Sequence, residues 1–190
     1  MRQSTKKRKT RETDITLSLN IDGSGESEIA TGVGFLDHMF TALACHSRMD
    51  ITLNATGDLE VDTHHTVEDC GLLLGAAIDE ALNDRSGICR FAAAFAPLDE
   101  ALARVVVDLS GRPFFCFNDA EGAMANLAGD VIMENLRSLA TAGRMTLHID
   151  LIRGLNRHHA LEAVYKALAL ALRQAVALDG DAIPSTKGAL

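Results

Sequence analysis

The chain has 190 residues, 47% of them hydrophobic, with a mean hydropathy of +0.09; that is the composition of one ordinary folded domain, not of a disordered chain. A net charge of −8 argues against nucleic acid as a partner, and no apolar run reaches the roughly 18 to 20 residues of a membrane-spanning helix. The polar, basic start, Met1 to Glu12, lacks the apolar stretch of a secretory signal, so a cytoplasmic location is expected.

Within that start, Arg2, Lys6, Lys7, Arg8, Lys9 and Arg11 have no aromatic stacking residues among them and read as a solvated tail or the edge of a first strand. The alternation Ile15, Leu17, Leu19, Ile21 predicts a strand over Thr13–Ile21, followed by a strand at Glu26–Thr31. A helix is then predicted at Leu36–His46, a strand at Asp50–Ala55 and a helix at Thr66–Leu82. Asn83-Asp84-Arg85-Ser86-Gly87 marks a seam. Beyond it come strands at Phe91–Ala96 and Arg104–Leu109, a helix at Asp130–Ala142, a strand at Thr146–Ile152 and a helix at His159–Leu178. Cys45, Cys70, Cys89 and Cys116 lie singly in apolar surroundings and read as reduced, buried thiols.

The two sides of the seam repeat one another. Met39-Phe40-Thr41-Ala42-Leu43-Ala44 matches Asn135-Leu136-Arg137-Ser138-Leu139-Ala140, and Met49-Asp50-Ile51-Thr52-Leu53 falls on Met145-Thr146-Leu147-His148-Ile149 in the same register. Halves 1–84 and 85–190 follow. The expected class is α+β, internally duplicated, each half a small, mostly antiparallel sheet packed on two helices.

After a two-residue slip the repeat brings His64-His65-x-x-Glu68 onto His158-His159-x-x-Glu162. Helix positions i and i+4 share a face while neighbours diverge by about 100°, so each His pair is expected to serve two ions, with Glu68 and Glu162 as partners. His38 corresponds through the repeat to Glu134, completing four ligands for each of two ions: His38, His64, His65, Glu68, Glu134, His158, His159 and Glu162. The set has no thiolate, which suits Mn, Fe, Co or Zn with open positions. His148, alone among Leu147, Ile149 and Leu151, reads as a satisfied core histidine. His46, one helix length past His38, can face the same cleft. A dinuclear metallohydrolase and a non-enzymatic metal-binding shell both remain open at this point.

Phe35-Leu36-Asp37-His38-Met39, Asp62-Thr63-His64-His65-Thr66-Val67-Glu68-Asp69, Asn156-Arg157-His158-His159-x-x-Glu162-Ala163 and Pro184-Ser185-Thr186-Lys187-Gly188 resemble the signatures of the imidazoleglycerol-phosphate dehydratases of histidine biosynthesis. The resemblance runs from Arg11 to Leu190 and implies one single-function dehydratase domain holding two Mn²⁺ per active site. It implies trimers assembled into a 24-subunit homo-oligomer with sites between subunits; from the charge and the apolar runs above, no nucleic-acid or membrane partner is expected. Some relatives have His where Glu134 stands. The implied reaction dehydrates D-erythro-imidazole-glycerol phosphate to imidazole-acetol phosphate through a metal-bound imidazolate and a diazafulvene-type intermediate. The resemblance puts phosphate recognition on Arg90, Arg112, Lys166, Ser185 and Lys187, with His46 added. Glu12, which would also touch substrate, joins Glu68, Glu162 and His65 as candidates for proton transfer.

Overall fold

The computed structural model describes residues 2–120 and 130–188, so Met1 and Leu190, the outer limits expected for the two halves, fall outside the described residues. Strands β1 (Gln3–Lys9) and β2 (Thr13–Asn20) form a hairpin, β4 (Asp50–Gly57) pairs antiparallel with β2, and β3 (Ser27–Ala30) adds parallel to β4. Helix α1 (Gly34–Ser47) connects β3 to β4, and α2 (His64–Leu82) follows β4. The second half repeats this order with β5 (Phe91–Leu98), β6 (Ala101–Asp108), β7 (Phe114–Asp119), α3 (Val131–Ala142), β8 (Thr146–Arg153) and α4 (Arg157–Ala175). Its sheet runs β5-β6-β8-β7, the counterpart of β1-β2-β4-β3. The fold is therefore a duplicated α+β arrangement.

Each sheet buries one face. Ile15, Leu17 and Leu19 of β2, and Ala103, Val105 and Val107 of β6, are at most 2% exposed, whereas the intervening Thr16, Ser18, Arg104 and Val106 face outward, the period-2 signature of a half-buried strand. Helix α2 lies on the first sheet and α4 on the second. The halves interlock because α1 packs on α4 and α3 packs on α2, so the helices fill the space between the sheets. The α2–α3 crossing is close: a Cβ at Gly71 would strike the Asn135 carbonyl, and one at Gly75 the Leu139 carbonyl and, at 2.7 Å, the Gly143 amide.

Two strands escape the hydrophobic pattern. In β1 the inward positions Ser4, Lys6 and Arg8 are themselves polar, so no alternation appears. Their partners come from the fold: Lys6 meets Glu80 at 2.5 Å and Arg8 meets Asp69 at 2.8 Å, while Lys9 on the outer face meets Asp14 at 2.6 Å and Arg2 pairs with Asp22. The basic cluster is thus an edge strand whose charges are largely balanced within the chain. Strand β7, Phe114-Phe115-Cys116-Phe117-Asn118-Asp119, carries apolar residues on both faces and gives no period-2 signal.

Two expectations are corrected. His148 is exposed, not in the core, because strand alternation sends it to the face opposite Leu147 and Ile149; there it stacks on Phe114 at 5.4 Å between centroids. Of the cysteines, which are all free thiols, only Cys70 is buried, its burial pushing the thiol up to about 12; Cys45 is exposed on α1, whose packed side is formed by Leu36, Met39, Phe40 and Leu43.

Candidate metal centre

Both His-His-x-x-Glu motifs open a helix. Asn156 caps α4, its side-chain oxygen accepting from the His158 amide at 2.8 Å, while Asp62 accepts from the His64 amide at 2.7 Å in front of α2. Within each pair the rings are nearly perpendicular, at 88° for His64 and His65 and 86° for His158 and His159. Consecutive helical side chains diverge in this way, and each imidazole consequently meets different neighbours.

The α1–α4 contact brings His38, His158 and Glu162 together. His38 Nε2 lies 2.9 Å and His158 Nε2 3.1 Å from the same Glu162 oxygen, Oε2, while Lys166 donates to Oε1 at 2.6 Å. Burial raises the Glu162 carboxyl, but the hydrogen bonds from Lys166 and His38 outweigh it and hold the group down at about 2. Two imidazole nitrogens and a carboxylate oxygen lie within 4.8 Å of one another, forming the one such three-residue group among the described residues. This N/O donor set fits a divalent ion such as Mn²⁺.

The repeat predicts a second group where α3 packs on α2. There the Asn135 amide donates to the Val67 carbonyl at 2.6 Å, which sets the neighbouring Glu134 beside the first turn of α2. His64 Nε2 and Glu68 are 3.6 Å apart, but Glu134 turns to Arg137 at 3.2 Å. His64, Glu68 and Glu134 therefore do not close into a cluster as His38, His158 and Glu162 do. Two carboxylates repel where the other site has one, and Arg137 offers Glu134 a counter-charge.

His65 and His159 face away from these groups. His65 Nδ1 is 3.0 Å from Asp58 and 3.9 Å from Glu12, and His159 Nδ1 is 2.7 Å from Glu100. The Asp58 hydrogen bond raises the basicity of His65 and the Glu100 hydrogen bond that of His159, in each case against the effect of burial. The Glu100 carboxyl is correspondingly lowered to about 2, first by His159 and then by the Asn156 amide. Sequence reasoning missed Asp58 and Glu100; the signal for Glu100 is the repeat register, which aligns it with Glu12.

The phosphate candidates divide between two ends of the molecule. Lys166 lies midway along α4, one turn past Glu162 and paired with it. Arg90 lies at the other end, its amide donating to the Ala175 carbonyl at 2.8 Å and its guanidinium to Asp108 at 2.7 Å and the Pro184 carbonyl at 2.7 Å. Arg112 joins it, 3.8 Å from Asp108, and Ser185 follows Pro184, its hydroxyl accepting from the Lys187 amide at 3.2 Å. From Glu162 to Ala175 is about 20 Å along a helix rising about 1.5 Å per residue, and from Ala101 to Asp108 about 23 Å along a strand rising about 3.3 Å. One chain does not bring Arg90, Arg112, Ser185 and Lys187 to the histidine cluster. His46, partly buried in the last turn of α1, is about 12 Å along the helix from His38.

Residues 31–172 match the family model described as imidazoleglycerol-phosphate dehydratase. A protein of that name from Cereibacter sphaeroides is 49% identical over 195 residues, covering 100% of both chains. Another from Granulibacter bethesdensis is 50% identical over 194 residues, covering 100% of this chain and 99% of that one. Among solved structures, IGPD from Pyrococcus furiosus in complex with (S)-C348 superposes with a TM-score of 0.80 at 38% identity, covering 97% of this chain and 100% of that chain. Imidazoleglycerol-phosphate dehydratase from Staphylococcus aureus gives 0.79 at 37% identity, with 93% and 99% covered.

Proposed function

The chain belongs to the imidazoleglycerol-phosphate dehydratase family, and from that membership we propose that it removes water from D-erythro-imidazole-glycerol phosphate to give imidazole-acetol phosphate in histidine biosynthesis. It is a carbon–oxygen lyase, and the compartment we assign is the cytoplasm; no described helix is long and apolar enough to cross a membrane. The observation that supports the reading within the molecule is the convergence of His38 and His158 on one oxygen of Glu162.

We assign two Mn²⁺ per active site: the cluster of His38, His158 and Glu162 supports one, and the repeat places the other on His64, Glu68 and Glu134, where Glu134 would have to leave Arg137, with His65 and His159 turned outward to complete sites on neighbouring copies. Bound there, such ions supply Lewis acidity toward the imidazole nitrogens of the substrate. The rest falls to side chains of this chain. Removal of the carbon-bound proton needs a carboxylate that is not already held by cations. Glu162, pulled to about 2 between Lys166 and His38, is a weak base, whereas Glu12 is half exposed beside His65 at 3.9 Å. We assign the proton transfer to Glu12, with His65 beside it as a metal ligand.

The separation of the cationic end from the histidine cluster supports a site shared between copies. A small phosphate ester cannot span about 20 Å, so Arg90, Arg112, Ser185 and Lys187 reach the phosphate from a different copy than the one supplying the ligands. The assembly we adopt is the 24-subunit shell of trimers, with no nucleic-acid or membrane partner.

The test is a dehydration assay on imidazole-glycerol phosphate with metal-stripped and Mn²⁺-loaded protein. Product is expected only with the loaded form. Loaded protein that binds the substrate without turning it over would overturn the assignment.

A further inference from the structure

The repeat assigns unequal tasks to two carboxylates that occupy the same place in the two halves. Leu17 lies opposite Leu53 in the first sheet and Val105 opposite Ile149 in the second. Since Leu53 and Ile149 correspond, Leu17 corresponds to Val105, and Glu12 in the β1–β2 turn to Glu100 in the β5–β6 turn. Their histidine partners, His65 and His159, also correspond. The distances do not: Glu100 Oε2 lies 2.7 Å from His159 Nδ1, but Glu12 stands 3.9 Å from His65 Nδ1.

The difference is filled by a third position. Asp58, directly after β4, accepts from His65 Nδ1 with both oxygens at 3.0 and 3.2 Å. It is fixed beside Glu12 by its own amide, which donates to the Glu12 carbonyl at 3.0 Å. A register shift between β6 and β8 at Leu102/Ala103 puts Leu155 at the matching position, and its apolar side chain offers no acceptor. Glu100 instead holds His159 with Oε2 while Oε1 accepts from the Leu155 and Asn156 amides at 3.2 and 2.9 Å. It thereby ties the histidine to the segment that starts α4.

We infer that Glu100 and Asp58 are positioning residues that hold His159 and His65 as the Nδ1–H tautomer, presenting Nε2 as the ligand atom, and that Asp58 releases Glu12 from this task for substrate chemistry. A hydrogen bond at one ring nitrogen decides which nitrogen is free to ligate. The inference rests on the metal reading above only in what Nε2 is presented to; the tautomer belongs to the protein itself.

The experiment is ¹⁵N–¹H correlation of the histidine rings in metal-free protein, combined with Mn²⁺ titration by calorimetry. In the wild type, His65 and His159 are expected as Nδ1–H. Glu100→Ala should convert His159 to the Nε2–H form that a free imidazole prefers in water and weaken Mn²⁺ binding by roughly 10–100-fold. Glu100→Gln, whose amide oxygen can still accept from Nδ1, should restore both. Asp58→Ala should shift His65, whereas Glu12→Ala should leave the His65 tautomer and the metal affinity unchanged while abolishing turnover. A wild-type tautomer of Nε2–H, or a His159 tautomer unmoved in Glu100→Ala, overturns the positioning role. A His65 tautomer that responds to Glu12→Ala as strongly as to Asp58→Ala overturns the division of labour. Because the tautomers are read without metal, they decide the positioning role even if the wild type fails to bind Mn²⁺, a result that would count against the metal reading alone.

Discussion

Glu162 and His38 are 124 positions apart in sequence and 2.9 Å apart in space, and their contact is made by the packing of α1 from the first half on α4 from the second. The site is thus a product of the duplication: neither half alone contains it. The charges and junctions that hold it, and the fold around it, can each be probed by a single change.

Glu162→Gln removes the oxygen charge that His38, His158 and Lys166 share. Mn²⁺ affinity should fall by more than the 10–100-fold typical when only an outer-shell partner of a metal ligand is lost, and turnover should fall with it. Calorimetric titration with Mn²⁺ measures this. An affinity within about threefold of wild type, well short of that outer-shell loss, would remove Glu162 from the ligand set.

Tyr165→Phe tests the junction behind the site. The Tyr165 hydroxyl, fully buried, donates to Asn135 Oδ1 at 2.8 Å, while the Asn135 amide holds the Val67 carbonyl of α2. Loss of the hydroxyl leaves a buried acceptor unpaired, costing about 1–3 kcal/mol, and at about 2–4 °C per kcal/mol the midpoint should drop measurably. Thermal unfolding followed by circular dichroism gives the value, and an unchanged midpoint would show that the acceptor finds another donor.

Asp50 links acid stability to the β2–β3 connection. Burial raises its carboxyl, but hydrogen bonds from the Ser24, Glu26 and Gly25 amides and from Asn20 together lower it below 3.8. A group depressed in the folded state adds stability above its unfolded pKa and loses it as pH falls through the folded one. Denaturant unfolding from about pH 7 to about pH 2 should therefore show wild-type stability declining below about pH 4. Asp50→Asn should be less stable near neutral pH and show a shallower acid decline; parallel profiles would rule the linkage out.

Deletion of Ser185–Leu190 should raise KM for imidazole-glycerol phosphate strongly while leaving Mn²⁺ content unchanged. Ser185 follows Pro184, whose carbonyl accepts from Arg90 at 2.7 Å, at the end of α4 away from the histidine cluster. Steady-state kinetics with metal analysis checks this, and an unaltered KM would take Ser185 and Lys187 out of phosphate recognition.

Most of the architecture is legible in the sequence because the buried faces of β2, β4, β6 and β8 alternate cleanly and the helices follow clear apolar stripes. Strand β1 is not, since its inward Lys6 and Arg8 find their partners, Glu80 and Asp69, only after α2 has docked. The ligand types are readable from the spacing of His158 and Glu162, one helical turn apart. Their meeting with His38 follows from the α1–α4 contact, which no local pattern encodes. Asp58 escapes notice for a similar reason: seven residues before His65, across a turn of irregular backbone, its spacing has no regular period. His148 is misleading because its apolar neighbours suggest a core position until each is assigned to the face it occupies.

The span along β6 between the Glu100 turn and Asp108 has a genetic consequence under the composite site proposed above. Lesions at opposite ends of the folded molecule damage different contributions to any one site. A copy altered at Glu162 still lends Arg112, Ser185 and Lys187 to its neighbour, and a copy altered at Arg112 still lends its histidines. Two alleles, each inactive alone, should therefore complement one another when expressed together, whereas two lesions at the same end should not.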